Sequence, residues 1–109
     1  MTEINVFLDD YRTCPPDYLL VETIDECLDT LQQNEVNHLS LDHDLENKYR
    51  NGFMLVEMMV SQQLFAKSIT IHSANASGGK AMYYFLKQAQ ANSQIPPTIL
   101  IKLRPLPLR

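Results

Sequence analysis

Five short apolar runs alternate with helix-like periodicities along this chain, and that alternation leaves few architectures open. Ile4 to Leu8 (INVFL), Tyr18 to Val21, His38 to Leu41, Ser68 to Ile71 and Thr98 to Leu103 (TILIKL) have the length and aliphatic content of buried strands. Thr23-Ile24-Asp25-Glu26 is a capping box that opens a helix. Ile24, Cys27, Leu28 and Leu31 fall on one face of that helix, and Asn34 is its stop. Phe53 to Phe65 reads as a second helix, apolar around most of its circumference, with Glu57 and Ser61 on the wet stripe and methionines as core filling. A third covers Gly79 to Ala91, with Met82, Phe85, Leu86 and Ala89 as its apolar stripe. Strands alternating with helices imply right-handed crossovers and a mainly parallel five-stranded sheet with about three helices. A length of 109 residues suits one α/β domain over 1–109 and leaves no room for a second.

The polar residues at the strand ends are unusual. Three runs finish in FLDD, LSLDHDL and ITIHS, and in open parallel sheets ligands bind beyond the carboxyl ends of the strands. Asp9, Asp10, Asp42, His43, Asp44, His72 and Ser73 are therefore expected to converge on one polar site. If residues 42–44 stay extended, Asp42 and Asp44 project to one side and His43 to the other, so two more carboxylates can join Asp9 and Asp10. Carboxylates held together repel one another, and a divalent cation offsets that repulsion. Hard oxygen ligands favour Mg²⁺, with Mn²⁺ as a variant. Imidazole beside carboxylate also suits a zinc-like site, although close His/Cys spacing is missing. An inert cluster of strand caps needs no metal at all. His72 has the chemistry of a general acid or base, and His38 reads as structural or exposed. The stretch from Ser73 through Asn75 to Lys80 offers hydroxyls, an amide, glycines and a helix N-terminus for an anion, without forming a P-loop. Lys102 and Arg104, at the end of the fifth strand, are the nearest positive charges.

Charge is divided along the chain. The net charge of −4 is the sum of −10 over residues 1–66 and +6 over residues 67–109. Solvated helix faces account for such a division, and so does an acidic, cation-binding half set against a basic half that holds phosphate. No run approaches the roughly 18 consecutive apolar residues of a membrane span, and the N-terminus lacks signal-peptide features, so a cytoplasmic protein with no membrane association is expected. Cys14 and Cys27 lack metal-type spacing and read as free thiols.

These motifs carry a resemblance. The acidic pair after the first strand, Asp42 after the third, Ser73 after the fourth and a basic residue before proline after the fifth resemble the receiver domain of two-component signalling. FLDDYRTCPP, LSLDHDL, Asn51-Gly52 and IHSANASGG with Met82 are more similar to the cyclic-phosphate processing receiver family. The resemblance implies a receiver-like, flavodoxin-like fold. It also implies a metal-dependent phosphoesterase that processes 2′,3′-cyclic phosphate ends of RNA or nucleotides in RNA repair. In that scheme Asp9, Asp10, Asp42 and Asp44 hold the metal, and Asp42, His43 and His72 are catalytic. Ser73, Asn75, Lys102 and Arg104 bind phosphate. The alternative is a non-catalytic or phosphoacceptor receiver module with Asp42 as the acceptor. Two departures bear on the fold: about nine residues join the first two strands, too few for a helical crossover, and no helix follows the fifth. The first and last receiver helices are thus expected to be missing or reduced. The sheet face they cover is then open, sealed by residues 11–17 and the proline-rich tail, or buried in a homodimer.

Overall fold

A computed structural model describes residues 3–45 and 49–105. The chain runs β1 (Glu3–Leu8), β2 (Tyr18–Val21), α1 (Ile24–Gln33), β3 (Glu35–Leu41), α2 (Gly52–Gln62), β4 (Ser68–Ser73), α3 (Ala76–Ala91) and β5 (Leu100–Pro105). All four strand pairings are parallel, in the order β2-β1-β3-β4-β5. This is the receiver-like, flavodoxin-like α/β arrangement expected from the sequence.

Connectivity explains how the helices are placed. The crossovers β2 to β3, β3 to β4 and β4 to β5 all travel the same way along the sheet, and right-handedness puts their three helices on one face. Only β1 to β2 travels the other way. Its connection is the loop 9–17, with no helix. Nor does a helix follow β5 among the described residues; the proline-rich tail beyond residue 105, one of the expected covers, lies outside them.

Strand alternation then sorts the side chains. Val6, Leu8, Leu39, Leu41, Ile69 and Ile71 point toward the helices and are fully buried with Ile24, Leu55, Met59, Met82 and Leu86. The residues between them, Phe7, His38, Ser40, Thr70, His72, Lys102 and Arg104, share the opposite face. From the loop 9–17, Pro15 reaches that face and walls a recess there together with Phe7 and Tyr18.

Several boundaries differ from the sequence reading. β3 begins at Glu35, so His38 is mid-strand. β4 continues through His72 and Ser73 because β5 runs beside it as far as Pro105. α2 ends at Gln62, and the left-handed backbone of its cap residue Gln63 (φ 57°) turns the chain before Phe65. α3 starts at Ala76, because Asn75 caps it through Gly78 N. β5 starts at Leu100. The expected loop from Leu45 to Asn51 lies partly outside the described residues. Both cysteines are free; burial pushes the Cys27 thiol up to about 12. Among the described residues, no helix is long and apolar enough to cross a membrane.

Candidate active site

Asp9 ends β1 where the ladder is still closed by its N–H on Val21 O, so its side chain is delivered to the carboxyl end of the sheet at 1% exposure. One carboxylate oxygen accepts the backbone N–H groups of Tyr11 (2.8 Å) and Arg12 (2.9 Å), which turns the following loop. The other faces His72 Nε2 at 3.0 Å and the Arg12 guanidinium at 3.5 Å. Burial opposes ionisation of Asp9. The hydrogen bonds from His72, Arg12 and Tyr11 outweigh it and hold the carboxyl down at about 2.

His72 is 4% exposed and held on three sides. Phe7 stacks on its ring at 4.5 Å between centroids with 3° between planes. Asp9 takes Nε2, and Ser40 Oγ lies 2.6 Å from Nδ1. A carboxylate only accepts, so Nε2 of the neutral ring carries the proton and Nδ1 receives the Ser40 hydroxyl. Further along the same face His38 bridges Tyr18 Oη and Thr70 Oγ1. Burial and the neighbouring Lys102 and His72 lower its pKa. Phe7, Pro15, Tyr18, His38, Ser40, Thr70, His72 and Arg104 enclose a recess of about 310 Å³.

Asp42 follows β3 at 4% exposure. It accepts His43 N at 2.7 Å and a hydrogen bond from Ser73, and Arg12 stands 3.6 Å from its second oxygen. Burial and repulsion from Asp9 raise its pKa, and the bonds from Ser73 and His43 and the charge of His72 only partly compensate. The backbone here is pressed by α2. Gly52 N donates to His43 O at 2.8 Å, and a Cβ at position 52 would overlap Asp42 O and His43 Cα, so only glycine fits that helix start.

His43 and Asp44 turn away to a second cluster. His43 Nδ1 lies 2.7 Å from Asp44 Oδ1, and Asn75 Nδ2 donates to Asp44 at 3.1 Å. The His43 ring leans on Gly78, where a Cβ would come within 2.6 Å of it. Asn75 Oδ1 accepts Gly78 N and the Ser77 hydroxyl, so this side chain serves as the helix cap.

The site residues expected from the sequence therefore divide. Asp9, Asp42 and His72 come together, with Ser73 beneath Asp42. His43, Asp44 and Asn75 form the second cluster. Asp10 is exposed, and Arg104 and Lys102 are exposed on the open face beside His72 and Thr70 respectively. Asp44 departs from the expected extended course: the chain bends after Asp42, and the Asp44 carboxylate is held by His43 and Asn75. A divalent ion does not fit the carboxylates as they stand, since both Asp9 oxygens are filled by donors and Arg12 already supplies a cation between Asp9 and Asp42. Among the described residues, no group of three or more His, Cys, Asp or Glu side chains is placed to hold a metal.

Arg12, Ser40, Thr70 and Tyr18 were not expected at the site. The available signal was polar residues at every second position of otherwise apolar strands, in His38-x-Ser40-x-Asp42 and Thr70-x-His72. A recess of about 670 Å³ lies at the opposite end of the sheet, but of its charged lining residues Lys67 is already paired with Glu3 at 2.8 Å. It brings no buried titratable cluster together, so the smaller recess is the stronger candidate.

The parallel sheet, its strand order and the buried acids at the carboxyl ends of β1 and β3 define a receiver-like domain. The chain belongs to the cyclic-phosphate processing receiver domain family, whose sequence profile matches residues 4–88. No curated protein and no solved structure matches it.

Proposed function

We propose that this domain is a phosphoesterase that opens 2′,3′-cyclic phosphates on RNA or nucleotide ends, with His72 as its acid–base centre. The family's own description supports the cyclic-phosphate substrate class. The observation that carries the enzymatic reading is the relay Asp9–His72–Ser40 at the floor of the open-face recess. Asp9 fixes the tautomer and orientation of the imidazole and stabilises its protonated form, and Nδ1, on the side of the recess, is bonded to the Ser40 hydroxyl. Arg104, paired in register with His72 on the same face, is placed to hold phosphate oxygens; Lys102, beside Thr70, adds positive charge. His43, Ser73 and Asn75, expected to act or to bind phosphate directly, serve instead to position the backbone around Asp42 and α3.

We route no step through a metal, since among the described residues no group of three or more His, Cys, Asp or Glu side chains stands ready to hold one. The test is incubation of an oligoribonucleotide ending in a 2′,3′-cyclic phosphate, with Mg²⁺, with Mn²⁺ and with excess EDTA. Ring opening to a monoester is expected in all three. No product from the wild-type protein in any arm would remove the enzymatic reading. Product in Mg²⁺ or Mn²⁺ but not in EDTA would restore the metal and require Arg12 to move from Asp9 and Asp42. The rival role of Asp42 as a phosphoacceptor is disfavoured by its burial under Arg12, His43 N and Ser73.

A further inference from the structure

We propose that Ser40 is the nucleophile of this domain and that the recess on the open face of the sheet, beside the acidic end of β1, is where the phosphate ester reacts. The inference rests on the cyclic-phosphate chemistry proposed above and assigns it an attacking atom. His72 has two ring nitrogens, and Nε2 is committed to the buried carboxylate of Asp9. Its only outlet to the recess is Nδ1, and the Ser40 hydroxyl occupies that nitrogen at 2.6 Å. Any proton that His72 exchanges with a bound ester therefore passes through or beside Ser40 Oγ. A hydroxyl on an imidazole whose far nitrogen is held by a carboxylate is the arrangement of an activated nucleophile, here with the roles of the two ring nitrogens exchanged. Phe7 stacking holds the imidazole, and Ser40 is held by the β3 ladder, paired with Phe7 on one side and Thr70 on the other. Arg104 lines the same recess and brings the positive charge a phosphate needs.

The chemistry balances without a further reactant. Ser40 Oγ attacks phosphorus as its proton moves to His72 Nδ1. The bond from phosphorus to one ribose oxygen breaks, and that oxygen takes the proton back from Nδ1. The nucleotide is then joined to Ser40 as a phosphodiester with nothing lost. Water attacks phosphorus with its proton passing to Nδ1, the bond to Oγ breaks, and Ser40 regains the proton, leaving a ribose monophosphate with a free neighbouring hydroxyl.

Two measurements on the full chain test this. In the first, wild type, Ser40→Ala and His72→Gln are treated with diisopropyl fluorophosphate, whose fluoride leaves as the serine is phosphorylated, and the labelled peptide is located by mass. Label on Ser40, absent in Ser40→Ala and slowed at least ~100-fold in His72→Gln, is expected. An unlabelled wild type, or label elsewhere, overturns Ser40 as nucleophile. In the second, turnover of a 2′,3′-cyclic mononucleotide is compared, with thermal melting as the check on folding. Loss of at least ~100-fold in folded Ser40→Ala supports the proposal, and wild-type turnover in that variant overturns it while leaving the cyclic-phosphate reading intact. Ser40 labelling in a wild type that turns over no cyclic nucleotide keeps the nucleophile and removes the substrate.

Discussion

Ile71 and His72 are consecutive residues of one strand and both are buried, yet they belong to different halves of the molecule. Ile71 points into the layer where β-strands meet α1, α2 and α3, an apolar layer built mainly of aliphatic side chains with Met59 and Met82. His72 points to the face that no helix covers among the described residues, where its neighbours are Ser40, Asp9, Phe7 and, on the adjacent strand, Arg104. Right-handed crossovers explain the asymmetry: three connections travel one way and carry helices, and the one that travels back is a loop. A face relieved of helix packing need not be apolar, so it can hold hydrogen-bonded imidazoles and hydroxyls. Every buried polar side-chain atom there has a partner among the described residues, as such a face requires. The comparison teaches that the aliphatic packing and the buried polar network lie on opposite sides of one sheet, so that on the proposed reading stability and chemistry are divided between its faces.

Paired substitutions at these positions are the sharpest way to break that division. His72→Ala is expected to lower turnover of a cyclic-phosphate end by about 10³-fold, the scale of a lost acid–base group, while the protein still unfolds cooperatively in urea. Ile71→Ala is expected to cost about 3 kcal/mol of stability, the transfer and cavity terms of a fully buried isoleucine, and to keep turnover per folded molecule within a few-fold. Equal losses of turnover in both folded variants would show that the faces are not separable.

Within the open face, the two buried acids sharpen the comparison further. Asp9 has its carboxyl lowered from 3.8 to about 2, so its ionised form adds stability that is complete above about pH 4 and fades as pH falls through 2. Asp9→Asn should therefore cost about 2 kcal/mol at pH 7 and next to nothing at pH 2. Asp42 is shifted the other way by burial and by Asp9, so its ionised form subtracts stability. Burial and the Asp9 charge outweigh the bonds from Ser73 and His43 N that favour the ionised form. Asp42→Asn should stabilise the protein at pH 7, with the gain vanishing below about pH 4. Denaturant midpoints across pH measure both, and two variants moving in the same direction would mean that one carboxylate has been given the wrong surroundings.

Much of this was legible in the sequence. The capping box at Thr23 predicts α1 to within a residue, and Thr23 Oγ1 does accept Glu26 N. The short β1–β2 connection announces the missing helix. The strand-end residues were expected to converge, and Asp9, Asp42 and His72 do lie together. What periodicity could not show was which residues close the circle. Arg12 comes from an irregular loop with Pro15 and Pro16, where no period says which way a side chain points. Ser40 and Thr70 look like ordinary strand residues until the register places them against His72 and His38. Asp44 was expected on the wrong side because extended alternation was carried past Asp42, where contact with Gly52 bends the chain. Asn75 was expected to bind phosphate because a cap and an anion site use the same groups.

That last ambiguity gives the smallest and most local test. Asn75 accepts Gly78 N and donates to Asp44, so Asn75→Ala should cost about 1 kcal/mol, the value of a lost helix cap, and lower turnover no more than a few-fold. Asn75→Asp keeps an acceptor for Gly78 N but sets a second carboxylate against Asp44, and is expected to retain most of the stability that alanine forfeits. If both variants melt like wild type and both lose about 10²-fold in turnover, Asn75 touches the substrate, and the reacting phosphate sits at the start of α3 rather than on the open face. If the alanine variant loses stability and keeps turnover, the cluster of His43, Asp44 and Asn75 belongs with the helix-covered half, as a brace for the loop that follows Asp42.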